Sequence, residues 1–168
     1  GKTAGEDLLQ GTTEVNAMDG LAIFADLRID TSSTIGALEY YTLMFSVPGS
    51  SGYVLGTPDR GFSARFEVLH GTVSKLLVVV QPGALASGFA LSRQPAVRLL
   101  DAQDNVADGV YPAGAPGADQ IAVQLVGFNG SVITGTTAVS PLRGWANFTD
   151  LGVTGPANEE YKLLFEIP

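Results

Sequence analysis

Residues 135–151 read GTTAVSPLRGWANFTDL and residues 11–27 read GTTEVNAMDGLAIFADL, so the chain spells nearly the same segment twice, 124 positions apart. Extended to residues 30 and 154, the alignment holds nine identities in twenty positions, where shared composition gives roughly one or two. The identities are patterned. Ala22 and Phe24 match Ala146 and Phe148, while Leu21 faces Trp145 and Ile23 faces Asn147. Side chains alternate faces along a strand, so the fixed positions predict a buried face and the variable ones an outer face. Upstream, Thr13 and Val15 match Thr137 and Val139, with Gly20 and Gly144 placed where a turn wants a left-handed residue, so each copy reads as a hairpin. Asp26-Leu27 and Asp150-Leu151 then shift the apolar period, which predicts a bulge or corner. The next match, Tyr41 to Phe45 against Tyr161 to Phe165, has an offset of 120, because the loop 31–40 is four residues longer than 155–160. Loops absorb length changes and strands do not.

The 168 residues, 45% of them hydrophobic, are enough to bury a core. A spacing of about 120 gives about 1.4 units of domain size rather than a short solenoid repeat. The 21 Gly and 9 Pro punctuate short apolar runs, and helical periodicity never persists, so the fold class is all-β. Strands are expected at 62–69 in the first unit and at 75–81, 89–91, 96–100, 121–126, 131–139, 145–149 and 161–166 in the second. "HGT" at 70–72 marks the boundary. Residues 1–72 are then expected to be the C-terminal part of one repeat, starting in mid-domain, and residues 73–168 the following repeat without its last strand.

The net charge of −8, with nine Lys and Arg and no basic stripe, argues against nucleic acid or an anionic membrane surface as partner. No apolar stretch reaches the length of a membrane span, and residues 1–20 have no signal-peptide pattern. Absence of cysteine removes disulfide and thiol chemistry without deciding the compartment.

The run LLVVVQPGALASGFALSRQPAVRLLDAQDNVADG, followed by ITGTTAVSPLRGWANFTDLGV and YKLLF, resembles the immunoglobulin-like tandem repeats, of filamin or Ig type, found in very large extracellular surface glycoproteins and adhesins. The carrying features are Gln81-Pro82, Pro95 ahead of the strand into Asp101 to Asn105, the Gly-Thr-Thr, and the Gly-x-Ala-x-Phe-x-Asp-Leu element. The resemblance implies immunoglobulin-like β-sandwich repeats, one nearly complete and one partial. It also implies a non-enzymatic spacer, coat or filament module at the cell surface, whose partners are neighbouring repeats and other copies or surface proteins met by edge strands. A carbohydrate-binding or adhesive module and a filamin-like cytoplasmic scaffold are the alternatives. A fold of this kind does not dictate a function.

Candidate sites are few. The opening Gly1-Lys2-Thr3 mimics the end of a phosphate loop but lacks the upstream glycine and the βαβ context. His70 has no second His or Cys with which to bind zinc. Asp101, Asp104, Asn105 and Asp108 gather hard oxygen donors of the kind calcium takes, while the same residue types build turns through side-chain to backbone bonds, which is the stronger reading. No other cofactor is implied. Asp26 and Asp150, repeated at a strand corner, are expected to cap backbone N–H groups. Trp145, on the outward parity, either covers an edge or offers a contact surface. Asn129-Gly-Ser131 and Asn147-Phe-Thr149 are glycosylation sequons, the first in a Gly-bounded turn and the second facing outward. No catalytic constellation stands out.

Overall fold

The computed structural model describes residues 8–33, 40–46, 61–107, 120–127 and 130–168. The chain divides into two compact units, Gly1–Leu69 and His70–Pro168. All strand pairs are antiparallel, and no helix occurs among the described residues. The fold is all-β.

In the second unit, β3 (Lys75–Val80), β4 (Ala96–Leu100) and β8 (Trp145–Asn147) form one sheet in the order β3-β4-β8. A second sheet has the order β10-β5-β7, from β5 (Ile121–Val126), β7 (Ala138–Val139) and β10 (Lys162–Glu166). Each strand turns alternate side chains to one shared core. From the first sheet come Val97, Leu99 and Ala146, from the second Ile121 and Val123, and Leu91, Phe148 and Leu151 join them. Leu163 and Phe165 pack against this cluster half-buried, and Leu125 is half-buried as well. Each large side chain so buried contributes about 1.5–3 kcal/mol. A short pair, β6 (Val132–Thr134) with β9 (Gly152–Thr154), completes the unit.

In the second unit, three strand expectations change. Residues 131–139 are two strands rather than one: β6 pairs with β9 and β7 with β5, with the break at Gly135. Residues 89–91 make only an isolated bridge, Ala90 to Gly152. The presumed hairpin shrinks to its turn, because β7 and β8 belong to different sheets and the chain crosses between them. The turn itself is tight. Leu142 and Trp145 exchange backbone hydrogen bonds of 2.8 and 3.0 Å across Arg143 and Gly144, whose φ angles are +51° and +75°. Two successive left-handed residues are the signature of a type I′ turn.

The first unit repeats these devices. Met18 and Leu21 exchange bonds of 2.9 Å across Asp19 (φ +51°) and Gly20 (φ +79°). β1 (Leu9–Gln10) pairs with β2 (Arg28–Ile29), Leu9 opposite Ile29, as Ile133 lies opposite Val153 exactly one repeat later. Segment 41–45 pairs with 61–66 through the isolated bridges Tyr41 to Phe66 and Met44 to Phe62, so the strand expected at 62–69 is reduced to two bridged positions.

Candidate functional site

The residues that recur in both units are found holding the backbone. Thr12 donates its N–H to Asp26 Oδ1 and its hydroxyl to Asp26 Oδ2, both at 2.9 Å. Thr136 does the same to Asp150 at 2.8 and 3.0 Å. The preceding glycine makes this approach possible: Gly11 (φ +96°) and Gly135 (φ +92°) would each put a Cβ 2.3 Å from the Asp carbonyl oxygen. The Asp26 carboxyl sits below its usual pKa, chiefly because the Thr12 N–H and then the Thr12 hydroxyl bond its ionised form. The aromatic pairs recur too, Phe24 with Phe45 at 5.6 Å between ring centroids and Phe148 with Phe165 at 5.4 Å.

Of the proposed calcium donors, Asp101, Asp104 and Asn105 come together as a turn, and Asp108 lies outside the described residues. Asp101 is 1% exposed. Its Oδ1 accepts from the backbone N–H of Gln103 and of Asn105, both at 2.9 Å, and its Oδ2 from Asn105 Nδ2 at 3.0 Å and from Gly71 N–H at 2.7 Å. Burial alone would raise this carboxyl's pKa; bonds from the Asn105 side chain and from the Gly71, Asn105 and Gln103 backbones outweigh it, and the net shift is downward. Four donors engage the lone pairs a cation would need. Asp104 (φ +64°) turns outward to Lys75 Nζ at 2.7 Å, and no group of three or more metal-ligating His, Cys, Asp or Glu exists among the described residues.

Trp145 lies opposite Arg98 in the ladder, and the guanidinium carbon stands 5.0 Å from the indole centroid. The half-buried ring is thus stacked against a cation on the outer face of its sheet. Asn147 is exposed on the same strand; Asn129 and Gly1-Lys2-Thr3 lie outside the described residues. His70 Nδ1 is 2.7 Å from the Gly71 carbonyl.

One site was not legible from composition or motif. The first unit contains a cavity of about 980 Å3 whose lining includes Val15, Ala22, Phe24, Leu27, Leu43 and Phe45. Their counterparts, Val139, Ala146, Phe148, Leu151, Leu163 and Phe165, all belong to or pack on the second unit's core. There the facing volume is filled by Val97, Leu99, Ile121 and Val123 of β4 and β5. The repeat alignment thus relates the lining of this cavity to core positions of the second unit. No protein-family model, curated protein or solved structure matches the chain.

Proposed function

We propose that the chain carries two copies of an immunoglobulin-like sandwich repeat and works as a non-enzymatic structural module of a long cell-surface or extracellular glycoprotein. The observation that carries this reading is where the repeated residues are spent: the Gly-Thr to Asp clamp, the type I′ turn and the paired phenylalanines all fix backbone geometry, once in each unit. A module selected for shape rather than for chemistry repeats its shape-holding residues. A further support is Tyr161, which precedes β10 and donates its hydroxyl to the Pro156 carbonyl at 2.7 Å, as Tyr41 does to Thr31 at 3.0 Å. A tyrosine bonded back to upstream backbone at a strand start is a hallmark of immunoglobulin-like sandwiches.

The sequons supply the test of location. Mass spectrometry of the native protein is expected to find N-glycan on Asn147, and on Asn129. Unmodified asparagine at both positions in protein recovered from the cytosol would replace this reading with the filamin-like scaffold. An adhesive role through Trp145 predicts that Trp145→Ala abolishes binding on a glycan array. The structural reading predicts no such binding to lose.

A further inference from the structure

The outer face of the sheet β3-β4-β8 carries a row of side chains that crosses all three of its strands. Leu142 is bridged to Trp145, Trp145 lies opposite Arg98, and Arg98 lies opposite Leu77. Residues opposite one another in an antiparallel pair point to the same face, so these side chains stand side by side. Leu142 is 74% exposed and Leu77 51%, and Val79, on the same strand as Leu77, is exposed as well. The half-buried indole of Trp145 lies in the middle of the row, held from one side by the Arg98 guanidinium. An apolar strip of this kind marks a surface that something covers.

The same strand brings a covalent acceptor to the strip. Trp145, Asn147 and Thr149 share the outward parity, and Asn147 and Thr149 are exposed, while Ala146 and Phe148 between them are buried. A group attached to Asn147 therefore displaces nothing from the core. Residues two apart on a strand stand about 6.6 Å from each other on one face, so a sugar ring bonded to Asn147 Nδ2 reaches the indole without any movement of the backbone. Opposite Asn147 is Ala96, whose methyl group leaves the space over this end of the sheet open.

We propose that Asn147 carries an N-linked glycan whose first N-acetylglucosamine lies down on Trp145, so that the sugar covers the apolar row of its own unit instead of standing out in solvent. The C–H side of a pyranose ring is apolar and flat enough for an indole, and its hydroxyls remain in water. The glycan arrives from a lipid-linked pyrophosphate donor: the bond from Asn147 Nδ2 to sugar C1 forms, the bond from C1 to phosphate oxygen breaks, and the amide gives up one proton. Trp145 is then the seat of a covalent sugar rather than a platform for a diffusing one. The proposal rests on the glycoprotein reading for the presence of the glycan and goes beyond it in assigning the glycan a place on the sheet.

Trp145 is the single tryptophan of the chain, so its fluorescence reports on this seat alone. The 168-residue chain carrying Ser131→Ala, which leaves Asn147 as the one sequon, is secreted from a eukaryotic host that attaches high-mannose glycan, and a portion is trimmed by an endoglycosidase to a single N-acetylglucosamine. The chain with both Ser131→Ala and Thr149→Ala is the sugar-free reference. Acrylamide quenching of Trp145 is expected to fall by about twofold in both glycosylated forms, in proportion to the ring area covered. Nuclear Overhauser contacts between the sugar C–H protons and the indole protons are expected in the trimmed form. An unoccupied Asn147, quenching equal to that of the reference, or absence of those contacts overturns the proposal. Failure here leaves the glycan measurement on the native protein untouched, and an unmodified native Asn147 beside a seated sugar in the secreted chain would strike the location reading alone.

Discussion

Gly135 holds φ +92° with the Asp150 carbonyl oxygen 2.3 Å from where a Cβ would sit, so Gly135→Ala meets both a disfavoured backbone region and a clash with main chain. We expect a loss of about 3 kcal/mol, read from urea denaturation of the second unit. Asp101→Ala strands the N–H groups of Gly71, Gln103 and Asn105 and is expected to cost about 3 kcal/mol or more. The pH dependence follows from the downward shift of the Asp101 carboxyl. Its contribution is fully present above the unfolded value of about 3.9 and is lost as pH falls through the lower folded value. Denaturation followed from pH 6 down to pH 2 should show Asp101→Ala and the parent chain converging in stability at the acid end. The cluster around Asp101 was legible as a turn, whereas its partner Gly71 was not: the bond spans 30 positions, and nothing in local sequence announces it.

Phe148 is 2% exposed and Phe24, its repeat counterpart, is half-buried and lines the cavity of the first unit. Phe148→Ala is expected to cost about 3–5 kcal/mol through lost burial and a new void, and Phe24→Ala under about 1.5 kcal/mol because its ring is only half-buried. Paired urea melts of the two variants check the asymmetry; equal losses would count against burial as its cause. Strand positions with strict alternation, such as β5 and β10, were legible because one face is buried and register is thereby fixed. The split of 131–139 was not, since Thr137 to Val139 continues the same parity across Gly135 and only the tertiary clamp to Asp150 sends the two halves to different sheets. β9 was missed because two of its three residues are small or polar. A Cβ on Gly152 would come 2.5 Å from the Phe89 carbonyl, yet the first unit carries Arg28 at this place, where no counterpart of Phe89 lies among its described residues.

Every buried hydrophobic residue among those described belongs to the second unit. Stability should be divided accordingly: amides of residues 8–33 and 40–46 exchange first and residues 96–100 and 121–126 last, with two thermal transitions in place of one. Hydrogen exchange across a melt reads both. A single transition with uniform protection would argue against two separable units. The repeat alignment relates inward positions of the two units pair by pair, yet identical inward residues are buried only when something faces them. The bond from Gly71 to Asp101 also has a mechanical meaning. Tension along the backbone enters the second unit at its first residues and meets a fully buried carboxylate before it meets any strand. The pull is thereby delivered to the turn after β4, through the buried side chain of Asp101. The bond from Ser74 N–H to Leu100 O at the margin of β3 comes only three residues later, so a pull on this end reaches a side-chain anchor before it reaches the ladder.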